Sequence, residues 1–297
     1  MSKQKGSLFR GAATAVVTPM KGDRIDLDAL RRLLEFQISE GIDALVIAGT
    51  TGEASTLADG EHMELLRFAV DTVAGRVPVI AGTGSNSTAH AVKMSRFAET
   101  CGCDGLLLVT PYYNRATEQG LVEHYRTIAD ATDLPILLYN VPSRTGVRLT
   151  MPVYRALAEH PRILGVKDAS GDAAAGAEIL AELGDHFDLY SGNDDITLPL
   201  LALGGAGVIS VASNVIPAEI HALCAAFDEG RYEEARTRFL ATLPLCRALF
   251  AEVNPIPVKS ALAMMGFCEE EYRLPLCPPS EETKKRLRTA LEHYHLL

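Results

Sequence analysis

The chain has 297 residues, 47% of them hydrophobic, with a net charge of -10 and a mean hydropathy of +0.10. That length supports a large core and fits a single α/β barrel. The negative charge argues against affinity for nucleic acid or an anionic membrane; it favours a cytosolic protein in which any anionic ligand needs locally placed donors. Met1–Arg10 has no apolar h-region and no apolar run approaches about 18 residues, so neither a signal peptide nor a membrane span is expected.

Taken in order, short apolar runs alternate with longer amphipathic segments. The runs Ala12–Thr18, Ala44–Gly49, Val77–Gly82, Gly105–Thr110, Pro135–Asn140, Ile163–Lys167, Asp188–Ser191 and Gly207–Val211 read as eight strands. Helical periodicity marks Leu27–Glu40, Asp59–Ala74, Thr88–Thr100, Gly120–Ala131, Met151–His160 and Ala173–Leu183; Leu30, Leu33, Leu34 and Ile38 show the spacing. Asp26, Asp59, Ser87 and Thr150 are expected to cap helix starts.

Alternating strands and helices imply a parallel sheet with right-handed crossovers, and eight units imply a closed (β/α)8 TIM barrel. An open doubly wound sheet would want a glycine fingerprint after the first strand, which Thr18-Pro19-Met20-Lys21-Gly22 does not supply. After Gly230 the rhythm changes. Arg231–Phe250, Pro257–Met265 and Ser280–His295 read as helices with no strand between them, and the prolines of Arg273–Pro279 interrupt helix. The expected organisation is an α/β catalytic barrel over 1–230 and a C-terminal helical domain over 231–297.

In such barrels the chemistry sits where strands end. Ile163-Leu164-Gly165-Val166-Lys167 is an apolar run closed by a lysine. Burial there disfavours the ammonium form, and a neutral amine can attack a ketone to form a Schiff base; snorkelling to solvent is the structural alternative. Gly49-Thr50-Thr51-Gly52-Glu53 offers hydroxyls and successive N–H groups in a turn suited to a carboxylate. Tyr112 and Tyr113 follow the fourth strand. Tyr139, one strand from Lys167, can shuttle protons, and Arg144 can offer a fork to a carboxylate.

Asp194 and Asp195 could suggest a metal pair, but neighbours on a turn point apart and no histidine accompanies them, so helix capping is expected. Asn193 and Asn214 read as turn formers. Cys101, Cys103, Cys224, Cys246, Cys268 and Cys277 form no Cys-x-x-Cys pair. Cys101 and Cys103 flank Gly102 with no metal or redox partner visible, so reduced, half-buried thiols are expected.

The motifs Gly49–Glu53, Thr110–Asn114, Tyr139–Gly146, Gly165–Ser170, Ser191–Asp194 and Asn254-Pro255-Ile256-Pro257-Val258-Lys259 together closely resemble the dihydrodipicolinate synthase family. This is a branch of the pyruvate-dependent class I aldolases that include N-acetylneuraminate lyase. The resemblance covers essentially the whole chain, and Tyr113 with Ser143-Arg144-Thr145-Gly146 is its most specific part.

The resemblance implies that Lys167 forms the Schiff base with pyruvate. Tyr139, Thr50 and Tyr113 would relay protons, with Tyr113 reaching a neighbouring subunit's site. Thr51 would help bind the pyruvate carboxylate, Arg144 would hold the carboxylate of L-aspartate-4-semialdehyde, and Gly192 and Ile209 would contact the keto acid through main-chain atoms. It implies a lyase of diaminopimelate and lysine biosynthesis that needs no metal or organic cofactor, and a homotetramer built from tight dimers.

His62, Asn86 and Tyr112 match the family's lysine-binding inhibitory site. Asp59 and His90 stand where lysine-sensitive members commonly carry a histidine and a glutamate, so weak or absent inhibition is expected. Asn254 and Lys259 are expected to serve packing. Two other readings differ in testable ways. A sugar-acid aldolase would want hydroxyl-reading residues in place of Arg144, and a barrel surviving only as a binding protein would be expected to lack Lys167 or Tyr139.

Overall fold

A computed structural model of the chain describes residues 7–297, so the reading of Met1–Arg10 lies mostly outside the described residues. Eight parallel strands close into a barrel: β1 (Gly11–Ala15), β2 (Ala44–Ile47), β3 (Val79–Gly82), β4 (Gly105–Val109), β5 (Ile136–Asn140), β6 (Ile163–Asp168), β7 (Asp188–Ser191) and β8 (Gly207–Ser210). Each pairs with its sequence neighbours, and β1 closes the ring by pairing with both β2 and β8.

Apart from a single helical turn at Pro142–Thr145, the α-helices between them are α1 (Leu27–Ser39), α2 (Asp59–Val73), α3 (Thr88–Thr100), α4 (Glu118–Asp130), α5 (Met151–Ala158), α6 (Ala173–Leu183) and α7 (Thr197–Ala202). α8 (Pro217–Asp228) follows β8, and α9 (Tyr232–Leu249), α10 (Ile256–Met264) and α11 (Glu281–His293) complete the chain. This is the (β/α)8 TIM barrel with a C-terminal helical region. Among the described residues no helix is long and apolar enough to cross a membrane.

Strands buried on both faces explain the continuous apolar runs. Alternate residues still divide between two clusters. Ala13, Val46, Ile80, Leu107, Leu137, Tyr139, Tyr190 and Ile209 pack inside the barrel. Their neighbours Ala12, Leu45, Ala81, Leu106, Leu138, Val166 and Val208 face the helices. Leu245, Val258 and Leu287 join the outer cluster, so α9, α10 and α11 share the apolar core of the barrel helices.

Two capping expectations fail. Asp26 and Ser87 do accept N–H bonds from Ala29 and His90. Asp59 is instead the first residue of α2, and its carboxylate turns outward to His90 and Lys93, a stronger pairing than a backbone N–H offers. Thr150 occupies the cap position of α5 without a cap bond, because its hydroxyl donates to Glu118. The first strand also stops at Ala15, short of Thr18, where the chain turns into a hairpin of Met20–Lys21 with Arg24–Ile25.

Candidate active site

Val166 faces the helices, so strand alternation turns Lys167 into the barrel at the C-terminal end of β6. The side chain is only 5% exposed. Tyr139 is its register partner on β5, and Lys167 Nζ lies 4.4 Å from the centre of the Tyr139 ring. Asn140 and Asp168, the next register pair, lock these two strand ends: Asn140 Nδ2 donates to Asp168 Oδ2 at 2.9 Å, and Ser170 N–H donates to Asp168 Oδ1 at 2.7 Å.

The Gly49–Gly52 turn after β2 supplies Thr50 and Thr51. Gly52 and Glu53 N–H groups bond back to Gly49 and Thr50 carbonyls, and the flanking residues Ala48 and Glu53 are held at φ 56° and 55°. Such left-handed conformations in non-glycine residues persist only where surroundings enforce them. Here the enforcement comes from the far end of the chain. Asn254 Nδ2 donates to Thr51 Oγ1 at 3.0 Å, and Lys259 Nζ meets Glu53 Oε1 at 2.6 Å with both side chains fully buried. Asn254 and Lys259 are therefore not apolar packing residues but polar braces on the threonine turn.

A cavity of about 420 Å³ opens beside these groups, lined by Thr50, Tyr139, Arg144, His62 and Tyr112 among others. The exposed Arg144 reaches it from the short helix Pro142–Thr145 that follows β5, and donates to the Asn254 carbonyl at 2.9 Å. Thr145, the last residue of that helix, anchors it, its hydroxyl accepting from Thr110 at 3.1 Å. Ile209 lies inside the barrel on β8. Gly192 follows β7, and its N–H donates to the Asp168 carbonyl at 2.7 Å. A Cβ there would lie 2.7 Å from Ala169 Cβ and 2.9 Å from the Asp168 carbonyl oxygen, so only glycine permits this approach.

Tyr113 does not enter this chain's cavity. It stands 93% exposed, at φ 70°. Asn86 donates to the Tyr112 carbonyl at 3.2 Å and receives Asn114 Nδ2 on its own carbonyl at 2.9 Å. His62 is buried beside the cavity, and desolvation lowers its pKa to about 4. The Asp59 carboxylate is shared by Lys93 at 2.6 Å and His90 at 3.0 Å, which with their hydrogen bonds hold its pKa down at about 2.

Asp194 corrects a further expectation. It caps no helix of its own: it is buried, accepting from the Ser210 hydroxyl and from Val211 and Ala212 N–H at 3.0 and 3.1 Å. Burial pushes its carboxyl pKa up against those hydrogen bonds. Asn214 is likewise more than a turn former; its amide donates to the Ala15 carbonyl at 2.8 Å and accepts from Val17 N–H at 3.1 Å, closing β8 onto β1. Nothing in the apolar periodicity marks either residue. Each lies three or four residues past the end of a barrel strand, and Asp194 also closes the Ser191–Asp194 motif. Among the described residues no group of three or more His, Cys, Asp and Glu is placed to hold a metal ion.

The model of the Dihydrodipicolinate synthetase family matches residues 8–294. The 4-hydroxy-tetrahydrodipicolinate synthase of Geobacter sulfurreducens is 50% identical over 290 residues, covering 98% of this chain and 100% of its own. Among solved structures, the dihydrodipicolinate synthase of Thermotoga maritima aligns with a TM-score of 0.96 at 44% identity, over 98% of this chain and 100% of its own. The chloride-inhibited enzyme of Acinetobacter baumannii complexed with pyruvate aligns at 0.95 and 42% identity, over 97% and 99%.

Proposed function

The chain belongs to the dihydrodipicolinate synthetase family, and on that footing we propose that it is a 4-hydroxy-tetrahydrodipicolinate synthase condensing pyruvate with L-aspartate-4-semialdehyde. The observation that carries the reading is the buried Lys167 amine held over Tyr139 at the closed barrel's C-terminal mouth, beside a cavity that Thr50 and Arg144 line.

In this reading the Lys167 amine adds to the pyruvate ketone. Tyr139, with Thr50 and the partner subunit's copy of the exposed tyrosine at position 113, moves protons as the carbinolamine loses water. The resulting iminium draws electrons from the adjacent methyl group, which gives up a proton and becomes an enamine. The enamine carbon adds to the aldehyde, and the amino group of that substrate then displaces Lys167 as the ring closes. The iminium is itself the electron sink, so the scheme calls for no organic cofactor. Thr51, Gly192 and Ile209 are assigned to the keto-acid end and Arg144 to the second carboxylate, where a planar fork gives two charge-assisted hydrogen bonds.

The same reading takes residues 1–230 as the catalytic barrel and 231–297 as the helical domain that braces it through Asn254 and Lys259. It makes the assembly a homotetramer of tight dimers, in which the exposed Tyr113 enters a neighbour's site. Lys93 and His90 already occupy the Asp59 carboxylate, which supports weak or absent inhibition by lysine.

Arg144→Ala tests the substrate assignment. Loss of a charged fork costs roughly 2–4 kcal/mol, so kcat/KM for the semialdehyde is expected to fall about 30- to 1000-fold. Covalent capture of pyruvate should persist. Unchanged kcat/KM for the semialdehyde would contradict the assignment and favour a sugar-acid acceptor.

A further inference from the structure

We propose that Cys101 and Cys103 form a modification site, a vicinal thiol pair that a hydroperoxide converts into an intramolecular disulfide. The two sulfurs lie 3.8 Å apart. They sit where α3 ends: Cys101 N–H bonds to the Phe97 carbonyl, Gly102 turns the chain at φ +89°, and Cys103 N–H bonds to the Ala98 carbonyl. A left-handed glycine between the cysteines folds the chain back so that both side chains share one side of the turn.

The pair is asymmetric in access. Cys101 is half-buried and reachable by a small oxidant, whereas Cys103 is 4% exposed. It is also asymmetric in charge preference. The hydrogen bond from Cys103 lowers the Cys101 thiol to about 7, with a smaller contribution from the Arg67 guanidinium, while the same contact and burial push Cys103 up. These are the properties of an attacking sulfur beside a resolving one.

The Cys101 thiolate would attack one oxygen of hydrogen peroxide. The O–O bond breaks, hydroxide leaves and takes up a proton, and Cys101 becomes a sulfenic acid. The Cys103 sulfur then attacks the Cys101 sulfur, its proton leaving with the displaced hydroxide as a second water. Both sulfurs together give up two electrons, and the peroxide is reduced to water. The site is independent of the reaction proposed above. Cys224 and Cys246 are buried with pKa values raised by desolvation, so they lack both access and thiolate character.

Folded, reduced protein exposed to a few equivalents of hydrogen peroxide, then alkylated and mapped by mass, provides the test. The peptide carrying both cysteines should be about 2 Da lighter, refuse alkylation and recover with dithiothreitol. Cys103→Ser should leave a Cys101 sulfenic acid that dimedone captures, and Cys101→Ser should leave Cys103 unoxidised. Full alkylation of both thiols after peroxide, a sulfinic acid on Cys101 of the intact pair, or equal oxidation of Cys103 in Cys101→Ser would each overturn the proposal.

Discussion

Lys259→Met removes one half of the ion pair beneath the threonine turn. Nζ and Oε1 are 2.6 Å apart and both side chains are fully buried. At an effective dielectric of ~20 their attraction is about 6 kcal/mol, much of it offset by the cost of taking both charges out of water. Removing the lysine alone strands the Glu53 carboxylate, whose remaining contact is a long 3.4 Å bond from Arg273 N–H. Breaking a buried pair in this way costs roughly 3–5 kcal/mol. For a chain of this size each kcal/mol moves Tm by about 2 °C, so Tm should fall by about 6–10 °C.

Methionine keeps most of the lysine volume, so the loss would not come from a cavity. Thermal unfolding and urea midpoints of Lys259→Met, and of its combination with Glu53→Gln, provide the assay. The double variant should recover at least half of the loss, because no buried charge is left unpaired. A single variant within about 1 kcal/mol of the parent would refute the reasoning, as would a double variant no more stable than the single.

Other expectations are quicker to check. Tyr139→Phe keeps the ring under Lys167 but removes the phenolic proton; kcat should fall by roughly 10²–10⁴-fold, with folding unchanged by circular dichroism. His62 and His124 are both buried, and desolvation lowers each pKa to about 4 from 6.5. The unfolded chain therefore binds more protons than the folded one between those values, so stability is full above about 6.5 and declines as pH falls toward about 4. Urea midpoints across that window should show the decline, and His124→Gln should flatten it; an unchanged slope in the variant would remove His124 from the account.

Much of the architecture was legible because a barrel repeats one local rule. Thr88–Thr100, Ala173–Leu183 and Asp188–Ser191 carry the same bounds in sequence and structure. Lys167 was conspicuous because a charge closes an apolar run. The braces were not legible. Asn254 meets Thr51 across 203 residues of chain and Lys259 meets Glu53 across 206. Lys259 sits in an apolar helix where its neighbours Val258 and Leu262 are also buried, so periodicity marks the position as core and says nothing of the partner. Asp194 was misread for a related reason. Capping is a local habit of aspartate, and the three groups it binds instead belong to the next strand and the turn after it.

The proximity of Cys101 and Cys103 was visible as a spacing, but whether the sulfurs face one another depends on how Gly102 turns. The exposed Tyr113 shows the opposite limit, a side chain whose proposed use lies in another copy of the chain.

The most direct test of the central claim is intact mass after borohydride reduction, with pyruvate present and absent. Reduction of a lysine–pyruvate imine adds about 72 Da. The account expects that increment only with pyruvate, mapped to Lys167 and missing from Lys167→Ala. No adduct on the folded protein, or an adduct on another lysine, would contradict it.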